Sequence, residues 1–517
     1  MHPRRTLLVA SCLLFLCGAT LLSAQVSDDP NPPLTNEGTQ LWFVELQSPP
    51  TIEGTAVSTL RTEKNQFRSA AVQSGLRLEE GKSYEKLWNG LTIRIPKSQE
   101  TLLGSIPGVK AIYPVLPVAY EPFKPIDVPE MASAVTMTGA DLAQNVLGLS
   151  GRGVKVAIID TGIDYNHPDL GGCFGKKCRV ARGYDFVGDA FNADPTMASY
   201  NPVPVPDPDP MDCAGHGTHV AGIVGANGDP AKNGVRGVAP GVTFYAYRVF
   251  GCEGSTTSDV MIDAMERALD DGADVVNMSI GAAYQFPQYP TAQAADRLVR
   301  HGVVVVASIG NDGATGTYSS SAPGVGDKVI GVASFENTHI GMNFFSFSAG
   351  DKFGYLQATG APNAPTSGTA TLVRTGTTTT ANDACIPITT DLTGKFVLVR
   401  RGTCSFYQKS ANAAAAGAAG VILYNNAAGF LNPTVAGTPA ITIPVIALSD
   451  TEGASLDSLI QAGGGFIAIN WSADINYFVN PLGGYISSFS AFGLAPDLSL
   501  KPDISAPGGN IRSTYPL

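Results

Sequence analysis

The feature that most constrains the fold of this chain is a series of short apolar runs between residues 136 and 337. Helical stretches such as Ser258–Asp271 and Ala292–His301 separate these runs, which are themselves rich in β-branched residues. The runs read VKVAIID, VTFYAYRVF, ADVVNMSI, GVVVVASIG and KVIGVASF. Continuous apolar runs of this length are typical of strands that helices cover on both faces. The sequence therefore predicts an α/β fold built on a parallel sheet.

Residues 39–118 predict a separate α+β unit that precedes the α/β domain. LWFVEL, LTIRI and VKAIYPV read as strands, and Thr55–Ser74 and Ser98–Ser105 read as helices. This order of elements suits a split β-α-β arrangement.

Residues 338–475 differ in composition from both neighbouring regions, since Thr, Ala and Gly dominate there. GKFVLVRRG, the Ala-rich stretch Ser405–Ala419 and GVILYNN read as strand, helix and strand. Residues 476–517 then return to the residue pattern of the α/β domain. We therefore predict that 338–475 is a domain inserted into an α/β domain made of 136–337 and 476–517.

The N-terminus has the layout of a secretory signal peptide over residues 1–24. Arg4 and Arg5 precede an apolar stretch, and a small-residue site follows with cleavage expected after Ala24. The alternative is an uncleaved anchor, but the apolar stretch is short for a span of about 20 residues. We expect a secreted, extracellular protein with no stable membrane insertion after cleavage. The formal net charge of −11 argues against a nucleic-acid partner.

Six cysteines remain after the predicted cleavage. An even number of cysteines in an exported chain favours disulfides. Nearness in sequence suggests two of the pairs and leaves the third, although fifteen pairings are formally possible. The alternative to disulfides is a zinc site, but no His clusters with these cysteines at ligand spacing. The suggested pairs are Cys173–Cys178, Cys385–Cys404 and Cys213–Cys252.

Three polar residues lie at positions where α/β proteins usually have their functional sites. Asp160 ends the run VKVAIID, at the sheet edge where ligands bind, and it either orients a base or caps a turn. His216 would open a helix with a face of small residues, where the helix dipole favours a neutral imidazole that acts as a base; His219 is the rival base. Asn311 follows GVVVVASIG, and its amide either donates to an oxyanion or forms a turn.

Together these segments resemble the subtilisin-like serine peptidases, the subtilase family. VAIIDTGIDYNHPDL is similar to the family's aspartate segment, GHGTHVAGIVGA to its histidine segment, ASIGNDG to its oxyanion segment and KPDISAPG to the stretch before its serine segment. The order Asp, His, Asn is also the family's order. The resemblance implies that Asp160 and His216 are catalytic, that Asn311 serves the oxyanion hole, and that Ser279, Ile280 and Gly281 bind substrate.

The resemblance extends to the flanking regions and to possible ligands. Residues 39–118 are similar to the family's inhibitory propeptide, and 338–475 to a protease-associated domain, which gates access, binds partners or acts as a spacer. The implied partners are protein or peptide substrates and the chain's own propeptide. No cofactor is required; a structural calcium ion is an option, with Asp169 at a family ligand position and the loop 227–235 opposite it.

The resemblance also predicts what should follow KPDISAPGGNIRSTYPL, the last 17 residues. The family places its nucleophile in a Gly-Thr-Ser-Met-Ala-x-Pro segment shortly after this point, and the 517 residues contain no such segment. We therefore expect a fragment, truncated before the catalytic Ser, that is inactive as written. The alternatives are a pseudopeptidase that binds protein without catalysis and an unrelated α/β binding protein.

Overall fold

The computed structural model describes residues 41–120, 131–232, 234–347 and 351–517, so the predicted signal peptide lies outside the described residues. The strands are β1 (Leu41–Leu46), β2 (Glu79–Tyr84), β3 (Gly90–Arg94), β4 (Val109–Pro114), β5 (Pro117–Val118), β6 (Lys155–Asp160), β7 (Val180–Asp185), β8 (Thr243–Arg248), β9 (Thr256–Thr257), β10 (Val275–Met278), β11 (Val304–Ser308), β12 (Ile330–Glu336), β13 (His339–Ser346), β14 (Lys352–Gln357), β15 (Thr369–Arg374), β16 (Phe396–Arg400), β17 (Gly420–Tyr424), β18 (Val445–Leu448), β19 (Phe466–Val479) and β20 (Ile504–Gly509). The α-helices are α1 (Val57–Gln73), α2 (Glu100–Gly104), α3 (Met131–Met137), α4 (Ala140–Asn145), α5 (His216–Gly225), α6 (Ser258–Asp270), α7 (Pro290–Arg300), α8 (Phe406–Ala415) and α9 (Asp450–Ala462). Single turns of 3₁₀ helix lie at Thr51–Glu53, Lys97–Gln99, Pro168–Leu170, Pro230–Lys232 and Gly313–Thr315.

The central sheet contains seven parallel strands in the order β20-β12-β11-β10-β6-β8-β7. In β6, Ala157 and Ile159 belong to the core that α6 and α7 help to form, while Val156 and Ile158 belong to the core on α3 and α5. Because successive side chains of a strand point to opposite faces, a strand covered on both faces is apolar throughout. The predicted α/β architecture with a parallel sheet is confirmed.

The N-terminal residues form an antiparallel sheet of their own, in the order β2-β3-β1-β4. Phe67 of α1 and Leu103 of α2 pack in the core of this unit. Phe43 and Trp88 belong instead to the main core beside α6 and α7. The unit is therefore docked on the helices of the central sheet through its aromatic residues.

β2 is a strand that the apolar pattern of the sequence does not indicate. Its residues EEGKSY are polar, and it lies at the edge of its sheet, where one side of the strand meets solvent. An ion pair of 2.6 Å between Arg68 and Glu80 ties this edge to α1. Backbone pairing with β3 and the ion pair hold β2 in place without the apolar burial by which a strand is recognised in a sequence.

The insert is a closed barrel with strand order β13-β14-β18-β17-β16-β15-β19. His339 pairs with Val479, so the barrel extends four residues past 475, the end expected from composition. The central helix of the insert, α8, ends at Ala415 rather than Ala419, because Gly417 adopts a left-handed conformation with φ of 86° that stops the helix. After the barrel the chain returns to the sheet, where β20 pairs in parallel with β12.

The three disulfides suggested by nearness in sequence are all present, joining Cys173 to Cys178, Cys213 to Cys252 and Cys385 to Cys404. Within the residues described, none of the helices is long and apolar enough to cross a membrane.

Candidate active site

The centre of the site is a contact between a strand end and a helix start. Asp160 is the last residue of β6 and is fully buried, and His216 is the first residue of α5. The Asp160 Oδ1 atom lies 2.6 Å from His216 Nδ1 and also accepts from the Thr161 backbone N–H at 2.7 Å. A carboxylate at Nδ1 holds the proton on that nitrogen, so that Nε2 carries the lone pair of a general base.

Asp212 holds the loop that leads into α5. Its Oδ1 accepts from the backbone N–H groups of Ala214 and Gly215 at 2.9 and 2.8 Å, and its Oδ2 accepts from the Thr218 N–H at 2.9 Å. The Thr161 hydroxyl also donates to Oδ1, at 3.0 Å. Burial raises the pKa of Asp212, and hydrogen bonds from the Thr218 hydroxyl and from the backbone of Gly215, Thr218 and Ala214 oppose the rise. The carboxylate therefore fixes the position of the first turn of the helix, including His216.

Thr161 and Gly217 bring the strand and the helix close together. The Thr161 hydroxyl accepts from the Gly217 N–H at 2.7 Å. A Cβ atom on Gly217 would collide with the backbone oxygen of Gly162. Glycine is thus needed at this position for the approach of β6 and α5 that puts Asp160 beside His216.

His219, the rival base, lies in a different environment. Its Nε2 is 3.1 Å from the backbone oxygen of Ile511. Burial lowers the pKa of His219 to about 4, so the imidazole is neutral near pH 7. Of the two histidines, the structure brings His216, and not His219, into hydrogen-bond contact with Asp160.

The residues expected to bind substrate and oxyanion follow two neighbouring strands. Ser279–Gly281 follow β10, and Asn311 follows β11 with an exposed side chain. β10 lies between β6 and β11 and is parallel to both, so all three strands end at one edge of the sheet. Ile280 is buried, and Ser279 accepts from the Asn277 side chain at 3.1 Å. The predicted residues therefore share the sheet edge that carries Asp160.

A segment of the N-terminal unit reaches the same edge. Its strand β5 pairs with β9 in antiparallel fashion, and Leu116 O accepts from the Ser258 N–H at 2.9 Å. Two residues past β5, the ring centroid of Tyr120 is 5.8 Å from that of His216. The residues that directly follow the N-terminal unit thus lie against the candidate base.

Asp169, the predicted calcium ligand, faces the loop 227–235 as expected. Its Oδ2 accepts from the Val235 N–H at 2.8 Å, and its backbone oxygen accepts from the Asn227 N–H at 2.9 Å. Calcium takes six to eight oxygen ligands, most often several from carboxylates. Around Asp169, the described part of the chain gathers no group of three or more acidic, His or Cys side chains. These side chains do not by themselves fit a calcium site, and calcium stays a prediction.

Sequence reasoning missed Asp212 and Thr161. Asp212 gives no capping signal in the sequence, because it lies four residues before His216 and the N-cap position belongs to Gly215. Thr161 directly follows Asp160, and its role depends on a contact with a helix more than 50 residues away, which local pattern does not reveal.

Comparisons with known proteins agree with these motifs. A family model described as the subtilase family matches residues 151–516. The minor extracellular protease Vpr of Bacillus subtilis (strain 168) is 35% identical over 476 residues, which cover 90% of this chain and 55% of that protein. The PI-type proteinase of Lactococcus lactis subsp. cremoris is 30% identical over 499 residues, covering 86% of this chain and 25% of that protein. The chain therefore spans about half the length of the first relative and a quarter of the second.

Among solved structures, the psychrophilic subtilisin-like protease Apa1 from the Antarctic psychrotroph Pseudoalteromonas sp. AS-11 is 21% identical, with a TM-score of 0.42, over 68% of this chain and 83% of that one. The family match spans all seven strands of the central sheet and both elements that position Asp160 and His216. The chain belongs to the subtilase family.

Proposed function

We propose that this chain belongs to the precursor of a secreted serine endopeptidase that hydrolyses peptide bonds of proteins. The observation that carries the proposal is the 2.6 Å contact between Asp160 Oδ1 and His216 Nδ1 at the N-terminus of α5. In this mechanism His216 Nε2 takes the proton of a serine hydroxyl and returns it to the leaving amine, and Asp160 stabilises the imidazolium. The Asn311 amide donates to the oxyanion, and Ser279–Gly281 align the substrate backbone.

We infer that the nucleophile is a serine outside residues 1–517, because these residues contain no Gly-Thr-Ser-Met-Ala-x-Pro segment. Exposed apolar side chains support this assignment: Ile504, in the edge strand β20, is 55% exposed, and Leu498 and Leu500, which precede the strand, are 63% and 84% exposed. A helix that carries the serine would cover such a surface. The 517 residues as written are accordingly expected to lack peptidase activity.

We assign inhibition to the N-terminal unit, 39–118. Its support is the pairing of β5 with β9 and the contact of Tyr120, two residues beyond the unit, with His216; these contacts would keep a substrate from the candidate base. Export agrees with the three disulfides and with the similarity to Vpr, a minor extracellular protease. For the inserted barrel, gating of substrate access and a role as a spacer both stay open.

The test is to read the gene beyond codon 517 and express the extended protein. We expect release of the N-terminal unit and hydrolysis of casein. In subtilisin, a member of this family, removing the histidine costs on the order of 10⁶ in kcat and removing the aspartate on the order of 10⁴. His216→Ala and Asp160→Asn should therefore abolish both readouts, whereas His339→Ala, a change in the barrel strand β13, should change neither. A stop codon at 518 with no frameshift, or an extended protein that hydrolyses nothing, would favour a non-catalytic binding role.

A further inference from the structure

The segment 117–120 lies on the enzyme domain as a peptide would. Val118 pairs with Thr256 in an antiparallel arrangement, which is how an extended ligand adds a strand to an exposed edge. Residues two apart in an extended strand point to the same face. Val118 is buried in the main core, and Tyr120 packs against that same core. The side chains of this segment therefore indicate which substrate side chains this part of the cleft prefers.

The Tyr120 ring is held by two other rings. Its centroid is 5.1 Å from that of Phe250, with an interplanar angle of 86°, and 5.8 Å from that of His216, with an angle of 46°. The first geometry is the edge-to-face arrangement that aromatic pairs prefer. Burial, followed by the charges of Asp212 and Glu253, raises the pKa of the Tyr120 hydroxyl, as expected for a ring drawn out of water.

The Phe250 side chain is held in place by its surroundings. Its side chain is fully buried, and its backbone oxygen accepts from Arg248 Nε at 2.9 Å. The Arg248 guanidinium in turn pairs with Asp189 at 2.6 Å. The disulfide between Cys213 and Cys252 ties the loop after Phe250 to the loop before His216. Both rings that contact Tyr120 are therefore held in place by the fold.

We propose that Phe250 is a specificity-determining residue, which with the His216 imidazole forms an aromatic pocket selecting an aromatic side chain of the substrate. That side chain lies two residues beyond the one that pairs with Thr256, within two residues before the cleaved bond. The inference rests on the proposed function, because it treats the segment 117–120 and peptide substrates as alternative occupants of one cleft. An edge-to-face contact and the apolar area buried with it predict a preference of roughly tenfold over alanine.

The first test is digestion of a mixture of peptides by the extended, active protein, with cleavage sites read by mass spectrometry. Aromatic residues should be enriched roughly tenfold over alanine at one of the two positions before the cut. Phe250→Leu keeps most of the side-chain volume and should lower this enrichment to about twofold. Phe244→Leu, a change at another fully buried phenylalanine of the same chain segment, should leave the enrichment unchanged. No enrichment, or equal enrichment in Phe250→Leu, would overturn the proposal.

The second test needs no catalysis and uses the chain of 517 residues. The Ser258 N–H donates to Leu116 O only while the segment is docked, so its hydrogen exchange reports on docking. Tyr120→Ala and Phe250→Leu should each speed this exchange roughly tenfold, whereas Tyr120→Phe and Phe244→Leu should not. Unchanged exchange in all four variants would refute the pocket. If the extended protein cleaves nothing, the proposed function fails, and the exchange rates still decide whether the pocket selects aromatic rings.

Discussion

Replacing Asp212 by alanine should loosen the start of α5 and misplace His216. The side chain is 4% exposed and accepts hydrogen bonds from three backbone N–H groups and two hydroxyls. Loss of a helix-capping side chain costs about 1 kcal/mol, and each buried donor left unpaired costs about 1–3 kcal/mol. Because water will replace part of the carboxylate, we expect a loss of about 3 kcal/mol in the free energy of local opening.

Hydrogen exchange measures this loss where it occurs. The Gly217 N–H, which donates to Thr161, and the amides of the following turn should exchange on the order of 100-fold faster in Asp212→Ala, since each 1.4 kcal/mol corresponds to tenfold. Asp212→Asn keeps one acceptor oxygen and should show a smaller increase. Asp194→Ala is the control, because Asp194 accepts two hydrogen bonds from Thr196 in an exposed loop. Exchange at Gly217 that changes less than threefold in Asp212→Ala would refute the capping role.

Three further predictions concern stability around the same helix. His219 has a pKa of about 4 in the folded chain and about 6.5 when unfolded, so its contribution to stability is complete above pH 6.5 and is lost as the pH falls towards 4. Relative to His219→Asn, the wild type should therefore lose about 3 kcal/mol over this range in pH-dependent unfolding, and parallel curves would contradict the assignment. Removing the disulfide by Cys213→Ser with Cys252→Ser, a cross-link over 39 residues, should cost about 4 kcal/mol in urea unfolding; a loss below about 1 kcal/mol would argue against its role. Gly217→Ala should destabilise the domain by more than about 2 kcal/mol in the same assay, because the new Cβ meets the backbone of Gly162, and an unchanged midpoint would show that β6 and α5 are less closely packed than described.

The sequence predicts those elements whose burial produces a local pattern of apolar residues. The strands of the central sheet are continuous apolar runs because helices cover both faces, and β6 and β8 coincide with two of the predicted runs. Asp160 and His216 were predictable because Asp160 ends an apolar strand and His216 begins a helix with a face of small residues. Their mutual distance was implied by family resemblance and not by spacing, since 56 residues separate them.

The remaining features depend on contacts between distant segments. β5 and β9 are two residues long, and neither PV nor TT has a periodicity that indicates a strand; they pair because the docked N-terminal unit brings them together. The barrel strand β19 runs through 476 because its partner β13 continues to His339, a register that composition does not encode. Phe250 reads as the end of an apolar run, and only the Tyr120 ring against it indicates a pocket.

We propose that Asp160 and His216 activate a serine that lies outside residues 1–517. Labelling with a fluorophosphonate probe, followed by mass spectrometry of the labelled peptide, tests it most directly. The extended protein, once its N-terminal unit is released, should be labelled at one serine beyond position 517, and His216→Ala should abolish the labelling. The chain of 517 residues should not react. Labelling of any serine within residues 1–517, or labelling that persists in His216→Ala, would contradict the account.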